Sequence, residues 1–101
     1  MTINREFFSL QTEIHELAHW KGWWDKPRSP LEIHALIHSE ISEATEAART
    51  GHDANERMEL ADAVIRVMDY FGYKGWDLHK EIMKKHELNK LRPHRHGNKK
   101  Y

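Results

Sequence analysis

The stretch Leu36-Ile37-His38-Ser39-Glu40-Ile41-Ser42-Glu43-Ala44-Thr45-Glu46-Ala47-Ala48 reads as helix with one residue out of pattern. At about 100° per residue, Ile33, Leu36, Ile37, Ile41, Ala44, Ala47 and Ala48 make one apolar arc, and Glu40 falls near its centre. An ionised carboxylate on a core-facing arc is costly unless a bound cation or a paired base removes the penalty. Glu40 therefore implies a partner, either a buried base or a metal. Glu43, one turn on at the edge of the arc, is placed to share a ligand with it, whereas Glu46 lies further round and reads as solvated.

Working outward, Ser29-Pro30-Leu31-Glu32 combines an N-cap serine, a proline at the first helical position and a glutamate three residues after the cap. The helix starts there and runs to about Arg49, with Gly51 placed to end it. Asp53-Ala54-Asn55-Glu56 offers the next cap. The third helix carries Met58, Leu60, Ala61, Val64, Ile65, Val67, Met68 and Phe71, with Gly72 closing it. Apolar around most of its circumference, it is expected to be the most buried helix. Before this pair, Ile3, Phe7, Leu10, Ile14, Leu17 and Ala18 predict a first helix over residues 3–20, broken by the run from Lys21 to Arg28. After Gly75, with Asp77 near its start, a fourth helix reaches about Leu91, and Arg92-Pro93 ends it. The expected fold is all-α, a four-helix bundle in a single domain over residues 1–101 with a basic C-terminal tail over 92–101.

A chain of 101 residues supports one small core, and small helical chains often complete it by associating, so a homodimer or homotetramer is expected. Formal charge sums to zero, which disfavours a nucleic-acid or membrane partner. The balance hides a split: residues 1–83 carry nine Lys/Arg against fifteen Asp/Glu, and residues 84–101 carry seven against one. The absence of cysteine removes disulfides and thiolate chemistry. With neither a signal peptide nor a membrane span visible, a cytoplasmic protein is the default.

On the third helix the polar stripe is Glu59, Asp62, Arg66 and Asp69. Such a stripe on an apolar helix is ordinarily its solvent face. The alternative is that the short turn makes the second and third helices antiparallel neighbours, so that Glu40, Glu43, Glu59 and Asp62 converge. Hard oxygen ligands in that number, without Cys or His among them, suit Mg²⁺ or Mn²⁺. A cation held in a negative cluster is useful when the substrate brings more negative charge, and polyphosphates do. Lys85 and Asn89 flank Leu78 and Ile82 on the apolar face of the fourth helix and are expected to point inward. Arg92, Arg95, His96, Lys99 and Lys100 continue a basic strip suited to phosphate oxygens.

Ser39-Glu40-Ile41-Ser42-Glu43, fifteen residues, then Glu59-Leu60-Ala61-Asp62 resembles the E-x-x-E and E-x-x-D motifs of MazG-like, all-α nucleoside triphosphate pyrophosphohydrolases. The segment from Lys85 to Gly97 resembles the K-x-x-x-N-x-x-R-P segment of small members, and the likeness spans about residues 20–97. One departure is Ser39, where the fuller family motif E-E-x-x-E has its first glutamate. The resemblance implies hydrolysis of the α–β bond of (d)NTPs to (d)NMP and pyrophosphate, with nucleotide-pool housecleaning as the role. It also implies Mg²⁺ held by Glu40, Glu43, Glu59 and Asp62, with Glu43 or Glu40 orienting or deprotonating the attacking water. Lys85, Asn89 and Arg92, with Arg95, would hold phosphates or ribose, and Trp23 and Trp24 would stack on the base.

A rival motif is His15-Glu16-Leu17-Ala18-His19, which fits the H-E-x-x-H pattern of zinc proteases. On the helical wheel His15 and His19 lie opposite the arc of Ile3, Leu10 and Ile14, which predicts that both face solvent or a partner chain. With no third ligand evident, the motif reads as a surface coincidence. The alternative from another class is a noncatalytic helical nucleotide-binding protein whose acidic pairs hold a structural cation.

Overall fold

The structure is a computed structural model and describes residues 5–93. Among these residues the chain forms four helices and no strand: α1 (Arg5–Trp20), α2 (Pro30–Arg49), α3 (Asp53–Lys74) and α4 (Leu78–Lys90). The start expected at residue 3 and most of the basic tail, including Arg95, His96, Lys99 and Lys100, lie outside the described residues.

Local chemistry sets the helix ends. Ser29 caps α2, its side chain accepting from the Leu31 N–H, and Pro30 supplies the first helical residue. Asp77 caps α4 by accepting from the Lys80 N–H. Two expected boundaries are corrected. Asp53 is already helical, and His52 precedes α3 without a side-chain cap bond. Gly72 does not close α3; Gly75 does, at φ +73°, a left-handed conformation that glycine adopts without a Cβ penalty.

α3 packs antiparallel to α2 across the turn at residues 50–52 and also packs against α1, whereas α4 leans on α1. Trp24, Ile33 and Tyr70 form the core cluster, with Ala18, Trp23 and Ile37 against it. Trp24 stacks on Tyr73, ring centroids 3.9 Å apart and planes 9° apart. Gln11, 2% exposed, fixes the α3–α4 turn by donating to the Trp76 carbonyl at 2.8 Å and accepting from the Leu78 N–H at 3.0 Å.

As expected, α3 carries the most buried residues of the four helices, but it is not covered around its whole circumference. Ala63, Met68, Asp69 and Tyr70 are buried, but Met58, Leu60, Val64 and Ile65 are exposed. The cause is rotational: α3 turns Glu59, Arg66 and Asp69 toward α2 and α1, leaving Leu60 and Val64 on the opposite side. The charged stripe is therefore largely an inward face.

Candidate metal centre

Because α2 and α3 are antiparallel, residue numbers on one rise as those on the other fall: His34 meets Tyr70, Glu40 meets Arg66, and Glu43 meets Glu59. Ligand oxygens of Glu40, Glu43 and Glu59 lie within 4.8 Å of one another. Glu40, whose side chain is 12% exposed, accepts from Arg66 Nε at 3.1 Å. Arg66 also sits over the Trp23 ring, 5.3 Å from its centroid, and Arg28 covers that ring at 3.6 Å. The out-of-pattern glutamate thus has a base on one side and two acids on the other.

Glu59 is half-buried, and its Oε2 is shielded from solvent with no hydrogen-bond partner among the described residues. Ionised carboxylates only accept, so three of them need a proton or a cation between them. The pKa of Glu59 is accordingly pushed up to about 7, first by hydrogen bonding with Glu43 and then with Glu40, followed by burial and the two neighbouring charges. Three carboxylates around an orphaned oxygen could hold a metal ion. Beside the cluster an open cleft of 320 Å³ is lined by Glu43, Glu46, Thr50, His52, Asn55 and Glu59, among others.

Asp62 stands outside the group of three and is exposed. Three residues turn a helix to about 60° short of a full turn, whereas seven fall about 20° short of two turns. Arg66 lies nearer the face of Glu59 and reaches Glu40, while Asp62 is turned to solvent. The polar stripe contains both residues, and the rotation of α3 against α2 decides which of them meets Glu40.

Other expected site residues fall elsewhere. Trp24 is 9% exposed, donates from Nε1 to Asp69 Oδ1 at 2.9 Å and stacks on Tyr73, so it is a core residue and not a platform for a base. Trp23 is half-buried under Arg28. Lys85 and Asn89 do not point inward as expected: both are exposed and line an open 530 Å³ depression along α4 with Glu81, Ile82 and His86. The reason is that α4 rests on α1 and its opposite face has no cover among the described residues. Arg92 is exposed.

His15 is a further correction. It turns toward α3, with Nδ1 2.7 Å from Asp69 Oδ1, in a close α1–α3 approach. A Cβ added at Gly72 would lie 2.6 Å from His15 Cβ, so the contact requires glycine there. Aliphatic periodicity on α1 does not register His15, because a hydrogen-bonded His–Asp pair can occupy a helix interface as an aliphatic contact does.

No helix among the described residues is long and apolar enough to cross a membrane. Comparison with protein-family models, with curated proteins and with solved structures returned no match.

Proposed function

We propose that the chain is a Mg²⁺-dependent nucleoside triphosphate pyrophosphohydrolase that converts (d)NTP to (d)NMP and pyrophosphate, with a housecleaning role in the nucleotide pool. The observation that carries this reading is the convergence of Glu40, Glu43 and Glu59 oxygens within 4.8 Å of one another from two antiparallel helices. A divalent cation held there lowers the pKa of bound water and offsets charge on the transferred phosphoryl group. Glu40 and Glu59 are the inner holders. Glu43, the exposed member on the cleft side, is the residue assigned to orient or deprotonate the attacking water. Asp62 has to turn inward to act as a fourth ligand.

Lys85, Asn89, Arg92 and Arg95 remain the proposed phosphate and ribose contacts. Since α4 leans on α1, a second copy of the chain is the proposed means of bringing a basic face over the cleft. Exposed Leu60 and Val64 on α3, and Leu88 and Leu91 at the end of α4, support a homodimer or homotetramer.

Pyrophosphate release from a panel of ribo- and deoxyribonucleoside triphosphates, with Mg²⁺ and with EDTA, tests the reading. One observation favours the noncatalytic alternative: Arg66 already neutralises Glu40, as in a structural polar network. Nucleotide binding that depends on Mg²⁺ without pyrophosphate release would establish that alternative instead.

A further inference from the structure

Apart from the acidic cluster on α2 and α3, α1 carries two imidazoles close together. His15 and His19 stand one helical turn apart, with ring centroids separated by 4.9 Å and planes at 83°. Two imidazoles that share a tetrahedral cation, each at a metal–nitrogen distance of about 2.1 Å, have centroids about 5 Å apart. The centroid spacing of this edge-to-face pair is compatible with two ligands on one ion.

His15 is also held as a ligand is held. Its Nδ1 lies 2.7 Å from Asp69 Oδ1, and Trp24 Nε1 donates to the same oxygen at 2.9 Å. Asp69 is only 8% exposed. An ionised carboxylate can only accept, so His15 donates from Nδ1, and the lone pair of the neutral ring is left on Nε2. Among the described residues nothing hydrogen-bonds that nitrogen, and His19 is exposed. A carboxylate that fixes the tautomer and orientation of an imidazole is the usual outer support of a metal-bound histidine.

We propose that His15 and His19 form a two-histidine site for a borderline divalent cation of the Zn²⁺ class, with Asp69 as the positioning residue behind His15. Imidazole suits zinc, whereas carboxylate oxygens suit Mg²⁺, so the two sites separate the two kinds of ion by ligand chemistry. Glu16 follows His15 by one residue, about 100° round the helix, and does not share the face of the pair. With no third protein ligand among the described residues, the site binds a cation and completes its coordination with water. Its effect is to tie the last turn of α1 to α3 through Asp69.

The test is calorimetric titration of the full chain with Zn²⁺ in saturating Mg²⁺, which keeps the carboxylate cluster occupied. The chain has nine histidines, so the reading is the difference between variants. His19→Ala, an exposed position, should lose one zinc equivalent while Glu40→Gln retains it. Asp69→Asn should weaken that same equivalent about 10–100-fold. In the parent, Zn²⁺ should shift the imidazole nitrogen resonances of His15 and His19 together. An unchanged stoichiometry and affinity in His19→Ala overturns the proposal, and so does loss of the equivalent in Glu40→Gln with retention in His19→Ala. Neither outcome depends on whether the acidic cluster hydrolyses nucleotides.

Discussion

Glu59 stands against two other carboxylates with one oxygen shielded from water, and its pKa rises from 4.5 to about 7 because a proton is the bond those neighbours can accept. In the window from 4.5 to 7 the native chain binds more proton than the unfolded chain, so stability falls as pH rises. This stabilising contribution is fully present below 4.5 and is lost as pH passes through about 7. The metal-free protein should therefore show a melting temperature that declines across that window, and Glu59→Gln should flatten the decline; parallel curves for the two proteins would contradict it. A cation takes the place of that proton, so Mg²⁺ should bind more tightly as pH rises through about 7 and release a fraction of a proton, detectable in buffers of different ionisation enthalpy. Glu40→Gln keeps the volume and removes a charge. It should abolish the Mg²⁺-induced rise in melting temperature together with pyrophosphate release, while Arg66 keeps an amide acceptor and the metal-free fold survives. A variant that still gains stability from Mg²⁺ would show that Glu40 does not anchor the ion.

At the level of elements, side chains of α1 determine where its neighbours sit. The Gln11 amide serves the Trp76 carbonyl and the Leu78 N–H, so Gln11→Ala strands two backbone groups at the start of α4. The cost should be about 1–3 kcal/mol, with amide exchange accelerated at Leu78 before the rest of the chain. Unchanged exchange there would mean that Asp77 alone holds the end of α4. Gly72→Ala puts a methyl group 2.6 Å from His15 Cβ, backbone-near atoms on both sides that cannot rotate away. Denaturant unfolding should register a loss of about 1–3 kcal/mol as α1 is forced off α3. A neutral result would show that the two helices separate freely.

For the whole molecule, a radius of gyration of 16.1 Å exceeds the roughly 13 Å of a compact 100-residue domain. The excess agrees with α4 leaning out and with Leu60, Val64, Leu88 and Leu91 exposed. Light scattering at micromolar concentration should return at least twice the chain mass of 12.1 kDa, and Val64→Glu should lower it. A monomeric parent would rule out a site completed by a second copy.

What the sequence determined by itself was local. The Ser29 and Asp77 caps, the Gly51 turn and the period of each helix depend on residues within a few positions of one another, so four helices and the i, i+3 acidic pairs were legible before any packing. Only the tertiary structure decided how far each helix rotates about its axis. That rotation chose Arg66 over Asp62 as the neighbour of the cluster, drew Asp69 and His15 into one interface, took Trp24 into the core and left Lys85 and Asn89 outside. On α3, an apolar face and a charged face competed for the contacts with α1 and α2. Pairing Glu40 with Arg66, and Asp69 with both His15 and Trp24, satisfies buried polar groups that an aliphatic interface would strand. That comparison involves three helices at once, and no single helical period contains it.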